Sequence, residues 1–528
     1  MSRSMPVSLS PEEGGQEVEM YLANAVQFVL MTCILHSIMR RRSVGFLFCS
    51  LCILFLVVAF LSTKFGRNDL ISWYERRNFN DTNQWRNFQF WQKLTAESAP
   101  YYQCTVSACK AVINPNQTLL IAATDSSHNQ NSCPFYFRYI HEDLAPWADG
   151  GITKKLLDKA KPLASFRIVI KGGKLFVEPY AACFQTRALF SIWGLLQLIE
   201  FYPGLVPDID MLFGCEDTPK VHKRTFIYRP QPPPVFRYCS NMNSFDIPFP
   251  DWSFWGWPEL HIKSWDKELS EILKENSAMI WEKRQPTAFW RGNTNTGGKL
   301  RKDLQHCNAA KCSAEIIHQN WNNETNMRSE ESKLAQQCKH RYKIYVEGWG
   351  WSVSLKYILA CDSPVFLLSP NFYDFFSRGL TPMKHYWPIR TNKLCRSIKF
   401  ASDWGNNNTV EAQAMGKAGN EFIRKELSMK HVYDYMLHLL LEYAKMLQFE
   451  PMPGKFAKEM CHESFMCQAT SHIEKSVYED SMVKSHSKSS PCFLPTRDEN
   501  RIETSMQQHL DIKRMIAEAE DRGLFSQN

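Results

Sequence analysis

The sequence predicts an α/β protein with parallel sheets. Two observations favour this class, and the chain length bounds the number of domains. Strand-like runs alternate with amphipathic segments from residue 166 to residue 447. Several apolar runs end directly in a charged or glycine-rich loop, as in "MLFGCEDTP" and "YVEGWGW". The chain of 528 residues is long enough for two or three domains with sizeable cores.

An uncharged run of twenty residues at 44–63 is the first element. At helical rise, twenty residues span about 30 Å, the thickness of a bilayer core. Three arginines at 40–42 precede the run and fewer basic residues follow it, so the positive-inside bias places the N-terminus in the cytosol. A cleaved signal peptide is the alternative. Residues 20–39 form a second, weaker apolar segment that could be another span or an interfacial helix.

Sequons and cysteines both indicate that the part of the chain after this run is lumenal. N-x-[ST] sequons begin at Asn80, Asn116, Asn323 and Asn407. All but three of the 17 cysteines follow the apolar run. Their spacings lack the C-x-x-C pairs typical of zinc sites, which predicts disulfides for most and buried thiols for some.

The distribution of charge argues against one function class, nucleic-acid binding. The net charge of +8 is spread thinly along the chain, without a basic block or basic helix, so the sequence does not favour nucleic-acid binding.

The predicted organisation has six parts: a cytosolic N-terminus, a membrane anchor, a stem, an N-terminal Rossmann-like half, a C-terminal Rossmann-like half and a C-terminal tail. Their predicted bounds are 1–43, 44–63, 64–100, 101–250, 251–455 and 456–528. The tail is Ser/Lys-rich after residue 484, which predicts a loosely attached end with one helix near 498–520.

Within the two halves, patterning predicts the following order of elements. Two strand-like runs around a Gly-Gly pair form a hairpin, and a helix with a broad apolar face ends at a Pro-Gly pair. An apolar strand, a proline-rich loop, an amphipathic helix and another strand come next. A strand, a glycine loop, a helix and a strand follow, and then two helices. The corresponding segments are 166–178, 186–204, 211–215, 226–239, 267–284, 287–293, 342–368, 411–427 and 432–447.

The glycine loop in "YVEGWGWSVSLKYILACDS" is the strongest local signal. A strand leads into Gly348, and a helix begins near Ser352 or Ser354. Backbone N–H groups at such a turn, with the hydroxyls and Lys356, can hold a diphosphate. The stretch matches neither common phosphate-loop pattern, and a simple strand-to-helix turn with serine caps is the alternative.

A second loop, in "FWRGNTNTGGKLRKDL", has the same plan. Arg291 and Gly292 end a strand, and Arg301 lies in the first turn of the next helix. A guanidinium there can pair with phosphate oxygens in a bidentate manner. The alternative for Arg301 is a solvated surface charge.

Trp252, Phe254 and Trp255 lie in "FPDWSFWGWPELHI", where prolines exclude a helical core stripe. The stretch predicts either an aromatic-walled site or a loop anchored by its rings. The nearby "DID" at 208–210 precedes a strand and is interpreted as structural.

The strand end "MLFGCEDTP" raises the question of which acid, Glu216 or Asp217, does chemistry. Adjacent side chains of an extended segment point to opposite sides, so only one of them is expected to face a cleft.

Six ordered stretches between about residues 98 and 495 together resemble glycosyltransferase family 90, the group of Rumi-type protein O-glucosyltransferases and fungal capsular xylosyltransferases, nearest to its plant branch. They are "CFQTRALF", "PDIDMLFGCEDTPKV", "FPDWSFWGWPE", "FWRGN…RKDL", "CKHRYKIYVEGWGWSVSLKYILACDS" and "KHYWPI".

The resemblance implies a GT-B fold, in which two Rossmann-like halves face a cleft, with a UDP-sugar donor, an inverting mechanism and no metal. It implies that Asp217 is the catalytic base and that Arg301 contacts the donor pyrophosphate. The donor pocket would also contain Gly348, Ser352, Lys356, Arg291 and Gly292. Ser354 stands where animal members have a basic residue, so glucose and xylose both remain open as the transferred sugar.

The remaining expectations concern the acceptor and the location. Trp252, Phe254, Trp255 and Arg187, the arginine of "CFQTRALF", are predicted to contact an acceptor glycan or protein. The predicted anchor, with a C-terminus "FSQN" that is no retrieval signal, favours a type II Golgi membrane protein, with the endoplasmic reticulum second. The alternative from another class is a catalytically silent sugar-binding protein of the same fold.

Overall fold

A computed structural model describes residues 132–227, 231–308, 312–320, 333–469 and 471–523. The predicted membrane span at 44–63, the apolar segment at 20–39 and the stem lie outside these ranges. Within them, no helix combines the length and apolar character needed to cross a bilayer.

Strands and helices alternate through most of the described chain, as the patterning predicts. The strands are β1 (Phe166–Lys171), β2 (Lys174–Pro179), β3 (Ile209–Phe213), β4 (Phe236–Arg237), β5 (Ile247–Pro248), β6 (Gln285–Gly292), β7 (Ala314–His318), β8 (His340–Tyr345), β9 (Val365–Leu368), β10 (Tyr386–Ile389) and β11 (Lys458–Met460). The α-helices are α1 (Tyr139–Leu144), α2 (Lys154–Ala160), α3 (Arg187–Phe201), α4 (Trp265–Ala278), α5 (Lys299–Gln305), α6 (Ser354–Leu359), α7 (Leu394–Asn407), α8 (Thr409–Glu426), α9 (Met429–Met446), α10 (His462–Gln468), α11 (His472–Ser481) and α12 (Glu499–Arg522).

The first sheet has six strands in the order β11-β2-β1-β3-β4-β5. The predicted hairpin is confirmed: β1 and β2 pair antiparallel around Gly172 and Gly173, both at positive φ, as a tight two-residue hairpin turn requires. β3 pairs antiparallel with β1 and parallel with β4, and β4 pairs parallel with β5. The N-terminal half therefore has a mixed sheet, so the prediction of parallel sheets is wrong for this half.

The second sheet has five strands in the order β10-β9-β8-β6-β7, and every pair in it is parallel. Counted along the chain, this is the 2-1-3-4-5 order of one doubly wound α/β architecture. The strand order reverses between β6 and β8. In open sheets of this kind, ligands bind outside the carboxyl ends of the strands at that switch point.

The helix predicted before the Pro-Gly pair is confirmed as α3, and nearly all of its side chains are buried. It contacts α9 and the short 3₁₀ turn Trp252–Phe254. Because β3 also contacts α9, this central helix pair supports the strand that ends at Glu216 and Asp217.

The predicted C-terminal tail at 456–528 packs on the rest of the fold, and so does its part after residue 484, which was expected to be loosely attached. β11 extends the first sheet by pairing with β2, and a disulfide joins Cys492 to Cys133. The predicted terminal helix is present as α12, where the Ser397 hydroxyl donates to Glu520 at 3.0 Å. The C-terminal segment therefore belongs to the folded body.

The cysteines follow the prediction of mostly disulfides with some buried thiols. Disulfides join Cys133–Cys492, Cys183–Cys215, Cys307–Cys395 and Cys338–Cys361. Cys239 and Cys312 are buried thiols. Such a set fits an oxidising compartment.

Candidate active site

The carboxyl end of β3 presents the two acids, and each has an arginine partner of its own. Glu216 pairs with Arg237, whose Nε also donates to Asp246 at 2.6 Å. Burial would raise the pKa of Glu216, but the charge and hydrogen bond of Arg237 outweigh this and lower it. Glu216 is thus part of a structural ion network behind the strand end.

Asp217 has a different partner and pairs with Arg187, the first residue of α3. A disulfide between Cys183 and Cys215 fixes this pair, because it joins the chain just before Arg187 to the chain just before Asp217. Only Oδ1 of Asp217 bonds to Arg187, and among the described residues Oδ2 has no hydrogen-bond partner. The Asp217 side chain as a whole is 33% exposed.

The aromatic loop at 249–262 supports the segment that carries Arg187. The Trp252 ring lies 4.4 Å below the Arg187 guanidinium. The Glu259 carboxylate accepts from both the backbone N–H and the hydroxyl of Thr186, each at 2.8 Å, and burial raises its pKa. The loop therefore positions Arg187 against Asp217.

The predicted acceptor wall of Trp252, Phe254 and Trp255 is not an open surface, because all three side chains are buried. Trp255 packs against Gly194 of α3, where a methyl group would overlap its ring, and its indole N–H donates to Tyr433 at 3.1 Å. Trp252 contributes to the site through its contact with Arg187, whereas Phe254 and Trp255 belong to the core.

Arg301 lies at the switch point of the second sheet, in the first turn of α5. It is buried, and its guanidinium donates to backbone oxygens of Glu347 at 2.8 Å and Asn293 at 3.1 Å. Among the described residues it has no carboxylate partner. Burial lowers its pKa to about 10, although Tyr345 and Asp217 act in the opposite direction, so it stays charged at neutral pH. A buried cation without a counter-charge is suited to bind an anion.

Glycines allow the loops of the two sheets to meet around this cation. A methyl group at Gly297 would overlap the Gly348 backbone, and one at Gly348 would lie 3.5 Å from the Arg301 guanidinium. A methyl group at Gly350 would overlap the backbone oxygen of Asp217. Arg301 and Asp217 are therefore connected through three consecutive residues of the glycine loop.

Lys356 does not reach this cleft. Its side chain is 1% exposed, donates to the Ser253 hydroxyl at 2.7 Å and lies 3.5 Å from the Asp251 carboxylate. Burial lowers its pKa, and Asp251 opposes that effect. Lys356 thus joins the aromatic loop to α6, and it does not contribute the cation that the sequence predicted at the diphosphate.

We expect Lys356→Met to destabilise the fold by about 3–5 kcal/mol, because it leaves the Asp251 charge buried and unpaired. Urea denaturation measures this loss. Lys356→Met/Asp251→Asn should recover part of it, since the asparagine keeps the cap on Ser253 without the charge. Lys417→Met, at an exposed lysine of α8, is the matched control. Equal stability of Lys356→Met and this control would contradict the buried-pair interpretation.

The remaining predicted donor residues occupy the same loops. The Ser352 and Ser354 hydroxyls bond to each other at 3.0 Å, and the Ser352 N–H donates to the Tyr345 hydroxyl. Helix α6 is not serine-capped, however, because its N-cap is Val353 and no side chain makes a cap bond there. Gly292 ends β6, where a methyl group would overlap the Trp290 ring, and the guanidinium of Arg291 lies 5.8 Å from the Phe289 ring.

Sequence reasoning overlooked two exposed rings beside the site, Trp349 and Phe184. Trp349 lies between two glycines, and this pattern could have indicated an exposed ring in the loop. Phe184 follows a cysteine whose disulfide partner could not be deduced from spacing.

The second sheet carries at its switch point a buried cation that has no carboxylate partner among the described residues, and the adjoining glycine loop contacts Asp217 of the first sheet. This arrangement is typical of an α/β protein that binds an anionic ligand. The chain belongs to glycosyl transferase family 90, whose family model matches residues 128–520. The family resemblance stated from the sequence is confirmed.

Curated relatives agree with this assignment. The chain is 26% identical to O-glucosyltransferase rumi of Drosophila melanogaster over 346 residues, which cover 62% of this chain and 81% of the relative. It is 27% identical to Protein O-glucosyltransferase 1 of Mus musculus over 339 residues, with coverages of 61% and 82%. The corresponding human protein is 26% identical over 339 residues, with the same coverages.

Proposed function

We propose that this chain is an inverting glycosyltransferase with a GT-B arrangement, which moves glucose or xylose from a UDP-sugar to a hydroxyl of a glycan or protein. One observation carries the proposal: the glycine loop of the second sheet connects Arg301 to Asp217 of the first sheet. The family membership and the O-glucosyltransferase names of the relatives support the reaction class.

Asp217 is the proposed general base. Its Oδ2 takes the proton of the acceptor hydroxyl while the hydroxyl oxygen attacks the anomeric carbon. Arg187 holds the other carboxylate oxygen and thereby fixes the direction of Oδ2. A base on one sheet and a donor loop on the other can approach the anomeric carbon from opposite sides, as inversion requires.

Arg301 is the proposed group that balances the charge of the leaving UDP. The diphosphate gains negative charge as the bond to the sugar breaks, and a preorganised cation in a dry crevice stabilises that charge strongly. Since Arg301 and the backbone of the glycine loop supply this stabilisation, the proposal requires no metal. Activity that survives EDTA would agree with it.

A donor screen tests the proposal directly. The full-length chain is incubated with UDP-glucose, UDP-xylose or UDP-galactose, with and without EDTA, and UDP release is measured. We expect release from UDP-glucose or UDP-xylose. No release from any of these donors would favour the alternative of a catalytically silent sugar-binding protein.

We further propose a location in the secretory pathway, at the Golgi membrane or in the endoplasmic reticulum. The disulfides support this, and so does Asn407, which is exposed at the end of α7. The other sequons lie outside the described residues. We expect glycosidase treatment to lower the mass of the cellular protein, and Asn407→Gln to remove part of that shift. Protease added to sealed microsomes should spare the catalytic body, and its digestion would contradict a lumenal location.

A further inference from the structure

Trp349 is a large aromatic side chain that the proposed chemistry leaves without a role. It is 40% exposed, whereas the neighbouring Trp351 is 6% exposed and packs edge-on against Trp252. The glycine loop therefore buries one of its two tryptophans and presents the other to solvent. Exposing an indole ring costs hydrophobic stabilisation, and an exposed ring at a cleft is typical of a binding surface.

The position of Trp349 along the loop places it between the two reactive groups. On its N-terminal side, Gly348 adjoins the Arg301 guanidinium. On its C-terminal side, Gly350 lies against the backbone oxygen of Asp217. The backbone of Trp349 therefore lies between a residue that adjoins Arg301 and a residue that adjoins Asp217.

A second exposed ring approaches Asp217 from the other sheet. Phe184 is 36% exposed, and its ring lies 5.0 Å from the Arg187 guanidinium, which pairs with Asp217. The disulfide of the adjacent Cys183 fixes this segment to the end of β3. The segments that carry the two exposed rings therefore both adjoin Asp217, that of Phe184 through Arg187 and the disulfide, and that of Trp349 through Gly350.

We propose that Trp349 and Phe184 form the acceptor subsite and that the acceptor is the pyranose ring of a glycan. This inference rests on the proposed function and narrows its acceptor class. A pyranose has C–H groups on its faces and hydroxyls around its edge, so its faces stack on aromatic rings while a hydroxyl reaches Oδ2 of Asp217.

In the transfer step at this subsite, one bond forms, one bond breaks and one proton moves to the base. The acceptor oxygen forms the new bond to the anomeric carbon, and the old bond from that carbon to the diphosphate oxygen breaks with its electron pair remaining on UDP. The acceptor proton moves to Asp217. Trp349 and Phe184 hold the acceptor and exchange no atom with it.

The test separates acceptor binding from donor chemistry. UDP release by the full-length chain is measured with its preferred donor alone, and then with added methyl glucoside, methyl xyloside, methyl galactoside, cellobiose or xylobiose. We expect at least one sugar to accelerate release. For that sugar, Trp349→Ala and Phe184→Ala should each raise KM about tenfold, the effect of roughly one lost aromatic contact. UDP affinity measured by calorimetry without acceptor separates this KM effect from a loss of donor binding.

Matched variants complete the design. Trp349→Phe keeps an aromatic face and should recover most of the acceptor affinity. Phe456→Ala removes an aromatic side chain that is 72% exposed before β11, three strands away from β3, and should have no effect. Acceleration by no sugar, or a Trp349→Ala variant that instead loses UDP affinity, would overturn the inference. In the first case the donor alone still releases UDP, whereas failure of the proposed function abolishes release altogether.

Discussion

Asp217→Asn should reduce sugar transfer by about 10²–10⁴-fold, the usual contribution of a general base. Asparagine keeps the size of the side chain and can still accept a hydrogen bond from Arg187, but it cannot take a proton. Because the donor crevice lies on the second sheet, UDP affinity should survive. Single-turnover transfer and UDP binding by calorimetry measure the two quantities separately.

Glu216→Gln is the matched control, since it makes the same chemical change at the neighbouring position. Glu216 pairs with Arg237, so its loss should affect stability more than transfer. If the two variants lose activity in the reverse order, Asp217 is not the base. An Asp217→Asn protein that fails to fold would instead make the Arg187 pair a structural one.

The sequence was sufficient for features that depend on local pattern. The hairpin around Gly172, the apolar helix that ends before Pro203 and the strand-loop-helix at Gly348 all follow from periodicity and turn residues. The alternation of side chains at 216 and 217 also anticipated that the two acids diverge, and their separate arginine partners agree with it.

The features that sequence reasoning missed depend on contacts between distant segments. β4 and β5 have two residues each, too few to show a pattern, and β11 joins the first sheet from residue 458. Lys356 was expected at the diphosphate because it lies in the first turn of the helix that follows the glycine loop. Its partner lies about a hundred residues earlier in the chain, in a loop whose fold no local pattern reveals.

Arg301→Ala should weaken donor use by roughly 10- to 100-fold, because a hydrogen bond to a charged group is worth about 1.5–3 kcal/mol. The effect should appear in donor KM and in UDP affinity, since the diphosphate is bound before and after transfer. Arg301→Lys keeps the charge but not the two-pronged geometry of the guanidinium, and it should recover only part of the loss.

Arg301 could instead have a purely structural role. Its guanidinium donates to the backbone oxygens of Glu347 and Asn293 and so supports the glycine loop. Loss of that support would lower thermal stability, whereas loss of a phosphate contact would lower donor affinity in a folded protein. Lys302→Ala, at the exposed lysine next along α5, should change neither quantity. If Arg301→Ala lowers the melting temperature but binds UDP as tightly as the parent chain, Arg301 shapes the loop and the diphosphate must be held by another group.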